Sequence, residues 1–446
     1  MEDQRRAFLD KVCTQVKAKE VHHSVREELD NHLEELIEAR RDQGYDADEA
    51  VNWAVTQMGD PLLLGKQLHQ VHKPRINYGL ILIVLFFAAV SIISMWSVGQ
   101  NYTAYSEKFA SAGFLEKQVF FLALGIAVMI GVYFLDYRKL YKAAWYLYGL
   151  VMAGFVFVFN SSLLAGQHRY IELGPVALDW ANISSYLLLV AIAGILQQLS
   201  KFKMGLMKRK FAELIIVGIP ILIYIRLPAL AELGFYLIGC AGLYAWMYRR
   251  RISVIVGIGI GALISLASGY LYLSSGRFIH MRATIVGAFN PFSDPEGYGY
   301  TYVRTREAVQ SAGWWGRGLG APLKELPILQ SESIVTYLLY SFGWVAGIIL
   351  AIATLILIHR MMAAYKRVDD KYGKSLILII MVALGARLLY GLAMATGYIP
   401  IIGVTFPFVG YGGSHLLIEF AAIGLLLSIY RKKDIIGAAS SSASTS

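Results

Sequence analysis

Long apolar stretches recur along most of this chain and constrain its fold more than any other feature. The stretches that are long enough to cross a bilayer predict about ten spans. They cover residues 78–98, 118–135, 143–159, 184–199, 212–225, 229–247, 252–275, 334–359, 375–396 and 416–430. With 57% hydrophobic and only 16% charged residues, the chain is too apolar for an ordinary soluble globule. The sequence therefore predicts an all-α, polytopic membrane protein.

The distribution of charge predicts how the chain is oriented. A net charge of +10 would suit a nucleic-acid-binding protein, but the basic residues cluster in alternate short loops between the predicted spans. These clusters are Arg138, Lys139 and Lys142, then Lys201, Lys203 and 208–210, then 249–251, and finally 431–433. By the positive-inside rule these loops, and with them both termini, are predicted to be cytoplasmic. The basic charge thus indicates topology, and no nucleic-acid partner is expected.

Neither a cofactor nor a metal site is predicted. The two cysteines, Cys13 and Cys240, lie far apart in unlike surroundings, which indicates neither a disulfide framework nor a cysteine metal site. Whether a divalent cation takes part in the function is left open.

Residues 1–72 are predicted to form a separate, soluble and cytoplasmic helical domain. Gly44 and Gly59 are typical of helix ends, and Asp46 and Asp60 are typical of helix starts. Apolar residues recur at helical spacing, at Val25, Leu29, Leu33 and Leu36 and again at Ala50, Trp53, Ala54 and Met58. This pattern predicts a small helical bundle.

One short run interrupts the apolar pattern near the C-terminus. The sequence PFVGYGGS, residues 407–414, holds one proline and three glycines. Proline removes a backbone donor and glycine has no side chain to pack, so this run is not ordinary membrane helix. At membrane depth such backbone is tolerated only where protein buries it or where it lines a cavity. The run is therefore a candidate cavity wall, in which Tyr411 and Ser414 either shape the broken segment or contact a substrate.

The predicted extracytoplasmic loop at residues 276–331 is much longer than a connection between two spans requires. It is rich in Gly, Pro, aromatic and charged residues, among them Arg282, Asp294 and Tyr300. The aromatic residues favour an ordered loop that lies along the membrane over a disordered one. A loop of this kind is a candidate for a functional region.

Four motifs, in order along residues 78–433, resemble the SEDS family of bacterial membrane proteins (shape, elongation, division and sporulation; the FtsW, RodA and SpoVE group). GQHRYIELGP at 166–175 resembles the family signature in the second outward loop, and MRATIVGAFNPFSDPEGYGY at 281–300 resembles its large-loop run. GWWGRGLG at 313–320 and PIIGVTFPFVGYGGSHLL at 400–417 follow in the family's order.

Separately, residues 1–72 resemble the helical prefix domain ahead of many bacterial permease-like membrane proteins, which implies a regulatory or docking module.

The resemblance implies a domain of about ten transmembrane helices over residues 73–433, placed in the bacterial plasma membrane and followed by a disordered tail at 434–446. It also implies an activity. Members of the family polymerise lipid II, an undecaprenyl-diphosphate-linked glycan, into peptidoglycan strands together with a class B penicillin-binding protein. Such a reaction needs a base for the sugar hydroxyl and cationic help for the departing diphosphate.

The resemblance also implies a set of site residues. Family polymerases carry an aspartate five residues after a Leu-Pro pair in the large loop, and Glu332 stands at that distance from Pro327. Glu332 is therefore expected to be the catalytic base, with a solvated carboxylate at a helix start as the alternative. The residues expected to bind substrate are Arg169, Arg282, Asp294, Tyr300, Tyr411 and Ser414. Arg169 has an alternative as a snorkelling interfacial cation, and Arg282 as a loop anchor paired with Asp294 or Glu296.

Several positions depart from the family pattern. Asn182 and Ser185 stand where the family has Glu and Lys in the fourth span, and Ala229 stands where it has Asp. Arg387 stands where the family has Gln, and Glu419 is its candidate partner within the membrane.

The departures leave three functions open. The first is a divergent SEDS-type peptidoglycan glycosyltransferase that acts in elongation, division or sporulation. The second is a catalytically lapsed relative that binds lipid-linked precursor or a division partner and regulates it. The third is a lipid II flippase, and the lost intramembrane charges argue against it.

Overall fold

The structure, a computed structural model, describes residues 2–17, 22–71, 75–103, 113–160, 169–173, 176–227, 229–248 and 277–433. Its secondary structure is almost entirely helical, as predicted. The chain divides into two compact units. One is formed by residues 1–77 with the short segments 366–371 and 429–446, and the other by residues 78–365 and 372–428.

Four helices of the N-terminal unit pack around one apolar core. They are α1 (Glu2–Gln15), α2 (His22–Arg41), α3 (Ala47–Gln57) and α4 (Pro61–Val71). Gly44 and Gly59 follow the ends of α2 and α3 with φ angles of 90° and 78°, a conformation that glycine adopts without steric cost. Asp46 caps α3, and its carboxylate accepts a hydrogen bond from the Asp48 backbone. The core includes Phe8, Val12, Val25, Leu33 and Ala54.

Helices occupy nine of the ten predicted spans in the described part of the chain. They are α5 (Tyr78–Thr103), α6 (Phe114–Phe134), α8 (Ala144–Asn160), α9 (Trp180–Lys201), α10 (Leu206–Arg226), α11 (Leu230–Met247), α14 (Ile334–Lys366), α15 (Lys371–Met394) and α16 (Gly413–Arg431). A short helix, α7 (Tyr137–Lys142), connects α6 to α8. The predicted span at 252–275 lies outside the described residues.

Seven of these nine helices are long and apolar enough to cross a membrane. Of the other two, α8 has only 17 residues, and α10 contains Pro220 and begins with a basic cluster. The protein is therefore a multi-pass membrane protein. Within the membrane unit, α9 packs against α8, α10 and α11, and most of its residues are buried.

The loops between the spans contain regular structure. After α8, strands β1 (Tyr170–Leu173) and β2 (Val176–Asp179) pair as an antiparallel hairpin in which Tyr170 lies opposite Asp179. The long loop at 276–331 holds α12 (Arg277–Phe289) and α13 (Tyr300–Ser311), with a single 3₁₀ turn between them. The prediction that this loop is ordered is confirmed over its described residues.

A break in α14 explains the glycines of the GWWGRGLG run. Gly343 has φ 80° and ψ −179°, which interrupts the helix and leaves backbone groups without helical partners. The run supplies those partners: the Trp344 amide donates to the Gly313 carbonyl at 3.0 Å, and the Gly318 amide donates to the Ser341 carbonyl at 2.9 Å. A Cβ on Gly316 would lie 2.3 Å from the Ser341 oxygen, so only glycine allows this approach. The run thereby fixes the loop to the start of α14.

Candidate functional site

One cavity of about 770 Å³ lies where several elements of the membrane unit meet. Its walls come from α6, the β-hairpin, the turn before α14, the non-helical segment before α16, and the first turn of α16. The lining residues are Lys117, Phe120, Phe121, Arg169, Tyr170, Ala177, Asp179, Ser331, Glu332, Ile402, Gly403, Thr405, Tyr411, Gly412, Gly413, Ser414 and His415. This volume is in the range of small-molecule binding sites.

The cavity brings together four of the seven predicted site residues. Glu332, Arg169, Tyr411 and Ser414 all line it, although they are far apart in the sequence. The backbone of Arg282 lies in α12, and its side chain is outside the described part of the structure.

Among the residues that the structure describes, Asp294 and Tyr300 lie away from the cavity. The carboxylate of Asp294 accepts hydrogen bonds from the backbone amides of Gly297 and Tyr298, both at 3.1 Å, and so shapes an exposed turn before α13. Tyr300 begins α13, and its ring lies 5.4 Å from the guanidinium carbon of Arg304. The structure therefore does not place these two residues with the other four.

The predicted broken segment is non-helical up to Gly412, and α16 begins at Gly413. Phe408 has a φ of 64°, and its amide donates to the Glu419 carboxylate at 2.7 Å. The Tyr411 amide donates to the Gln330 carbonyl at 2.7 Å, which joins the segment to the turn that carries Glu332. The prediction that this run forms a cavity wall is confirmed, because 411–414 line the cavity.

Ser414 and Tyr411 pack against neighbouring elements of the cavity wall. The Ser414 hydroxyl accepts from the Asp179 amide at 3.0 Å and donates to the Ala177 carbonyl at 3.2 Å, so it joins α16 to β2. The ring of Tyr411 packs edge-on against Phe114 of α6, with centroids 5.2 Å apart. These contacts favour the structural alternative for both residues.

Arg169 forms a buried ion cluster at the base of the hairpin. Its guanidinium donates to both carboxylate oxygens of Asp179, with distances between 2.7 and 3.0 Å, and also pairs with Glu232 of α11. The three side chains are 13%, 5% and 4% exposed, so the snorkelling alternative for Arg169 is wrong. Burial alone would lower the pKa of Arg169, but Glu232 and Asp179 outweigh burial and raise it.

Asp179 is the acidic centre of this cluster and also caps α9 through the Asn182 amide at 3.2 Å. Burial alone would raise its pKa, but the hydrogen bond with His415 and the charge of Arg169 outweigh burial and lower the pKa well below its usual range. Asp179 is therefore held as an anion whose charge is already compensated.

Glu332 differs from Asp179, the other acid that lines the cavity, in how its carboxylate is bonded. It lies half-buried in the turn before α14, and within the described residues its carboxylate makes no hydrogen bond and no ion pair. Burial raises its pKa, and the charge of Arg169 only partly opposes this effect. Glu332 is therefore only partly solvated, just before the start of α14, and its assignment as the catalytic base stays a prediction.

The turn that carries Glu332 is fixed by its neighbours. The Ser333 hydroxyl donates to the Pro327 carbonyl at 2.9 Å, and the Tyr102 hydroxyl donates to the side chain of Gln330 at 2.8 Å. Leu329 is fully buried beneath the turn. Glu332 thus faces the cavity from a rigid support, as a catalytic group requires.

Arg387 lies close to the cluster but does not pair with Glu419. Its guanidinium donates to the Ser185 hydroxyl at 2.8 Å and to the Ala383 carbonyl at 3.2 Å. The charge also lies over the rings of Tyr186 and Phe235, at 4.4 and 4.5 Å. Since Glu419 accepts from the Phe408 amide instead, the predicted pairing of Arg387 with Glu419 is wrong.

Four cavity or cluster residues were missed by reasoning from the sequence: Lys117, Asp179, Glu232 and His415. His415 lines the cavity, with Nε2 3.5 Å from Asp179. Lys117 and Glu232 each lie near the start of an apolar helix, where a charged residue is ordinary at a membrane interface. No group of three His, Cys, Asp or Glu side chains suited to a metal ion occurs in the described ranges.

Comparisons with known proteins agree with this architecture. The family model for cell cycle proteins of the FtsW, RodA and SpoVE type matches residues 77–435. Stage V sporulation protein E of Bacillus subtilis (strain 168) is 24% identical over 363 residues, which cover 79% of this chain and 96% of that protein. The probable peptidoglycan glycosyltransferase FtsW of Geobacter sp. (strain M18) is 26% identical over 361 residues, or 78% of this chain and 96% of that protein.

A solved structure shares the fold. It is a chain of a peptidoglycan synthase complex described as coordinating polymerization and crosslinking. The two chains are 20% identical and superpose with a TM-score of 0.64, over 80% of this chain and 98% of the other. At this level of identity, the likeness shows a common fold.

Proposed function

Because the chain belongs to the FtsW, RodA and SpoVE family of cell cycle proteins, we propose that it is a peptidoglycan glycosyltransferase that polymerises lipid II. One observation carries the proposal: a half-buried carboxylate, Glu332, faces a cavity of about 770 Å³ and has no partner within the described residues. The name of the Geobacter relative, a probable peptidoglycan glycosyltransferase, supports the same activity.

In the proposed reaction the 4-hydroxyl of one sugar attacks the anomeric carbon of a second sugar that is linked to a lipid diphosphate. A carbon–oxygen bond forms at the anomeric carbon, and the bond from that carbon to the diphosphate oxygen breaks. The diphosphate leaves with the electron pair, and the hydroxyl proton passes to the Glu332 carboxylate. Because burial raises the pKa of Glu332, its carboxylate is a stronger base than an ordinary glutamate.

The pairing of the acids distinguishes the proposed base, Glu332, from Asp179 and Glu232. Asp179 and Glu232 both pair with Arg169, so they are poorly placed to accept a proton. Glu332 replaces the aspartate that the family resemblance predicts and is one methylene longer. A shift on the order of 1 Å in the position of a catalytic group costs about a hundredfold in rate.

A second candidate is a catalytically lapsed relative that binds lipid-linked precursor and regulates another enzyme. One observation favours it: Arg169, which the sequence suggests as a diphosphate contact, is already paired with two carboxylates, Asp179 and Glu232. The two candidates differ in whether bound lipid II is converted to product.

We also propose a partner, a cellular location and a domain organisation for the protein. A class B penicillin-binding protein is the expected partner. The alternation of basic loops supports a plasma-membrane protein with both termini in the cytoplasm. We propose that the N-terminal helical domain, residues 1–72, is a cytoplasmic regulatory or docking module, and that residues 73–433 form the catalytic membrane domain.

Polymerisation of purified lipid II by the full chain in detergent, with and without a class B penicillin-binding protein, tests the proposed function. We expect glycan strands with the unaltered chain and a loss of about a hundredfold or more in Glu332→Ala. Glu296→Ala, which removes an exposed acid of the same loop away from the cavity, is the matched control and should leave the rate unchanged. Lipid II that binds but yields no product under any of these conditions would support the regulatory candidate instead.

A further inference from the structure

Three basic side chains line the cavity, and two of them already lie against a carboxylate. Arg169 pairs with Asp179 and Glu232, and His415 lies 3.5 Å from the Asp179 carboxylate. The third is Lys117, in the first turn of α6, whose side chain is exposed. Within the described ranges its ammonium group makes no hydrogen bond and no ion pair. Lys117 is therefore the lining cation whose charge remains available to a ligand.

The first two turns of α6, which carry Lys117, are fixed to the broken segment. The ring of Phe114 packs against Tyr411, and the buried side chain of Gln118 donates to the Gly410 carbonyl at 3.3 Å. Phe121 packs so closely on Gly413 that a Cβ there would lie 2.4 Å from the ring. These contacts hold the backbone of Lys117 at a defined place on the cavity wall, so little order has to be imposed when a ligand binds.

The position of Lys117 along the membrane suits the headgroup of a lipid. Helix α6 has 21 residues, and at about 1.5 Å per residue its length is close to the thickness of the hydrocarbon core. Its first turn therefore lies near the membrane interface. Phe120, one turn further into the membrane, is 60% exposed and also lines the cavity. A cation at the interface followed by an exposed aromatic ring matches a ligand with an anionic headgroup and an apolar chain.

From this charge, rigidity and position, we infer that Lys117 binds the diphosphate of the lipid-linked substrate. The inference rests on the proposed glycosyltransferase function and gives to Lys117 the role that the sequence suggests for Arg169. Two carboxylates already compensate the charge of Arg169 and would repel a diphosphate bound beside it, so Arg169 is the weaker candidate for this contact. Arg169 is instead a positioning residue that holds Asp179 and the hairpin in place.

Binding of a polyprenyl diphosphate, and of the corresponding monophosphate, to the full chain in detergent tests this inference. We expect the unaltered chain to prefer the diphosphate, and Lys117→Met to weaken diphosphate binding by about tenfold or more while affecting the monophosphate less. Lys117→Arg keeps the charge and should bind within about threefold of the unaltered chain. Lys208→Met is the matched control, because Lys208 is an exposed lysine near the start of α10 that does not line the cavity.

The outcomes separate this inference from the proposed function. Diphosphate affinity that is the same in Lys117→Met and the unaltered chain would overturn the inference, and so would an unaltered chain that does not bind the diphosphate. Lipid II polymerisation that continues unchanged in Lys117→Met would also overturn it and leave the proposed function standing. Binding that depends on Lys117, in a chain that makes no glycan, would uphold the inference and overturn the proposed function.

Discussion

The guanidinium of Arg169 contacts both carboxylate oxygens of Asp179, with Nε at 2.9 and 3.0 Å and Nη2 at 2.7 Å. The backbone is linked at the same place, because the amide of Trp180, the residue after Asp179, donates to the Arg169 carbonyl at 3.1 Å. The pair thus closes the hairpin at its base and joins it to the start of α9. This relationship fixes the cavity wall and compensates the charge of Arg169 within the protein.

Removing the charge of Asp179 should destabilise the protein. In Asp179→Asn the helix cap can be kept, but Arg169 loses its bidentate partner in a buried site. Breaking a buried pair from one side costs about 3 kcal/mol or more. We expect a clearly lower melting temperature in detergent. Asp294→Asn, which changes an exposed turn aspartate, is the control, and equal melting of the two variants would argue against a structural role for the pair.

The pH dependence of the polymerisation rate should reflect the protonation of the Glu332 carboxylate. A base works only when it is deprotonated, so the rate should fall as the pH falls through the pKa of Glu332, which burial raises above the ordinary glutamate value of about 4.3. Asp179 has a lowered pKa and stays ionised over this range, so its contribution to stability is lost only at still lower pH. Initial polymerisation rates measured across pH check this prediction. A rate that falls only at the ordinary pKa of glutamate would contradict it. So would a pH profile that is the same in Glu332→Asp as in the unaltered chain.

A side chain at Gly343 should disrupt the junction between the large loop and α14. A Cβ there would lie 2.1 Å from the Trp314 carbonyl oxygen, and the φ of 80° is itself unfavourable for alanine. We expect Gly343→Ala to cost about 1–3 kcal/mol from backbone strain alone and to lower polymerisation. Gly149→Ala is the control, since a Cβ at that helical position meets no atom within 4 Å. Thermal unfolding of both variants in detergent gives the comparison, and a Gly343→Ala that melts with the control would refute the proposed strain.

The buried Gln118 should matter for the shape of the cavity. Its amide nitrogen lies 2.6 Å from the Ser91 hydroxyl and 3.3 Å from the Gly410 carbonyl. Gln118→Leu keeps the approximate volume but leaves the Gly410 carbonyl without this donor, at a cost of about 1–3 kcal/mol. We expect a lower melting temperature together with a lower polymerisation rate. Gln310→Leu, at an exposed position, should change neither quantity, and a parent-like Gln118→Leu would show that the segment is held by other contacts.

Much of the membrane fold is predictable, because span length and apolar composition are properties of local sequence. The break at 407–414 is also predictable, since proline and glycine act on their own backbone. The break at Gly343 is harder to predict. It lies inside a continuous apolar stretch, and only the distant pairing with 313–318 satisfies its backbone groups. The glycines of GWWGRGLG are the signal that could have suggested it.

The residues of the candidate site are likewise predictable from the sequence only in part. Family resemblance predicts Glu332 and Arg169, and both line the cavity. Lys117 resembles any interfacial lysine, and Glu232 resembles any acid near a helix start, so neither has a local signature. Their importance depends on which partners lie nearby in space. Arg387 shows the converse, because its expected partner Glu419 instead holds the strained backbone of Phe408.

The rate of glycan polymerisation by Glu332→Gln, measured together with the affinity of this variant for lipid II, decides whether Glu332 is the catalytic base. Glutamine has nearly the same shape as glutamate but cannot act as the base. We expect the rate of Glu332→Gln to be at least about a hundredfold below that of the unaltered chain, with lipid II affinity unchanged within about threefold, and we expect partial activity in Glu332→Asp. Polymerisation by Glu332→Gln at the rate of the unaltered chain would contradict the assignment of Glu332 as the catalytic base.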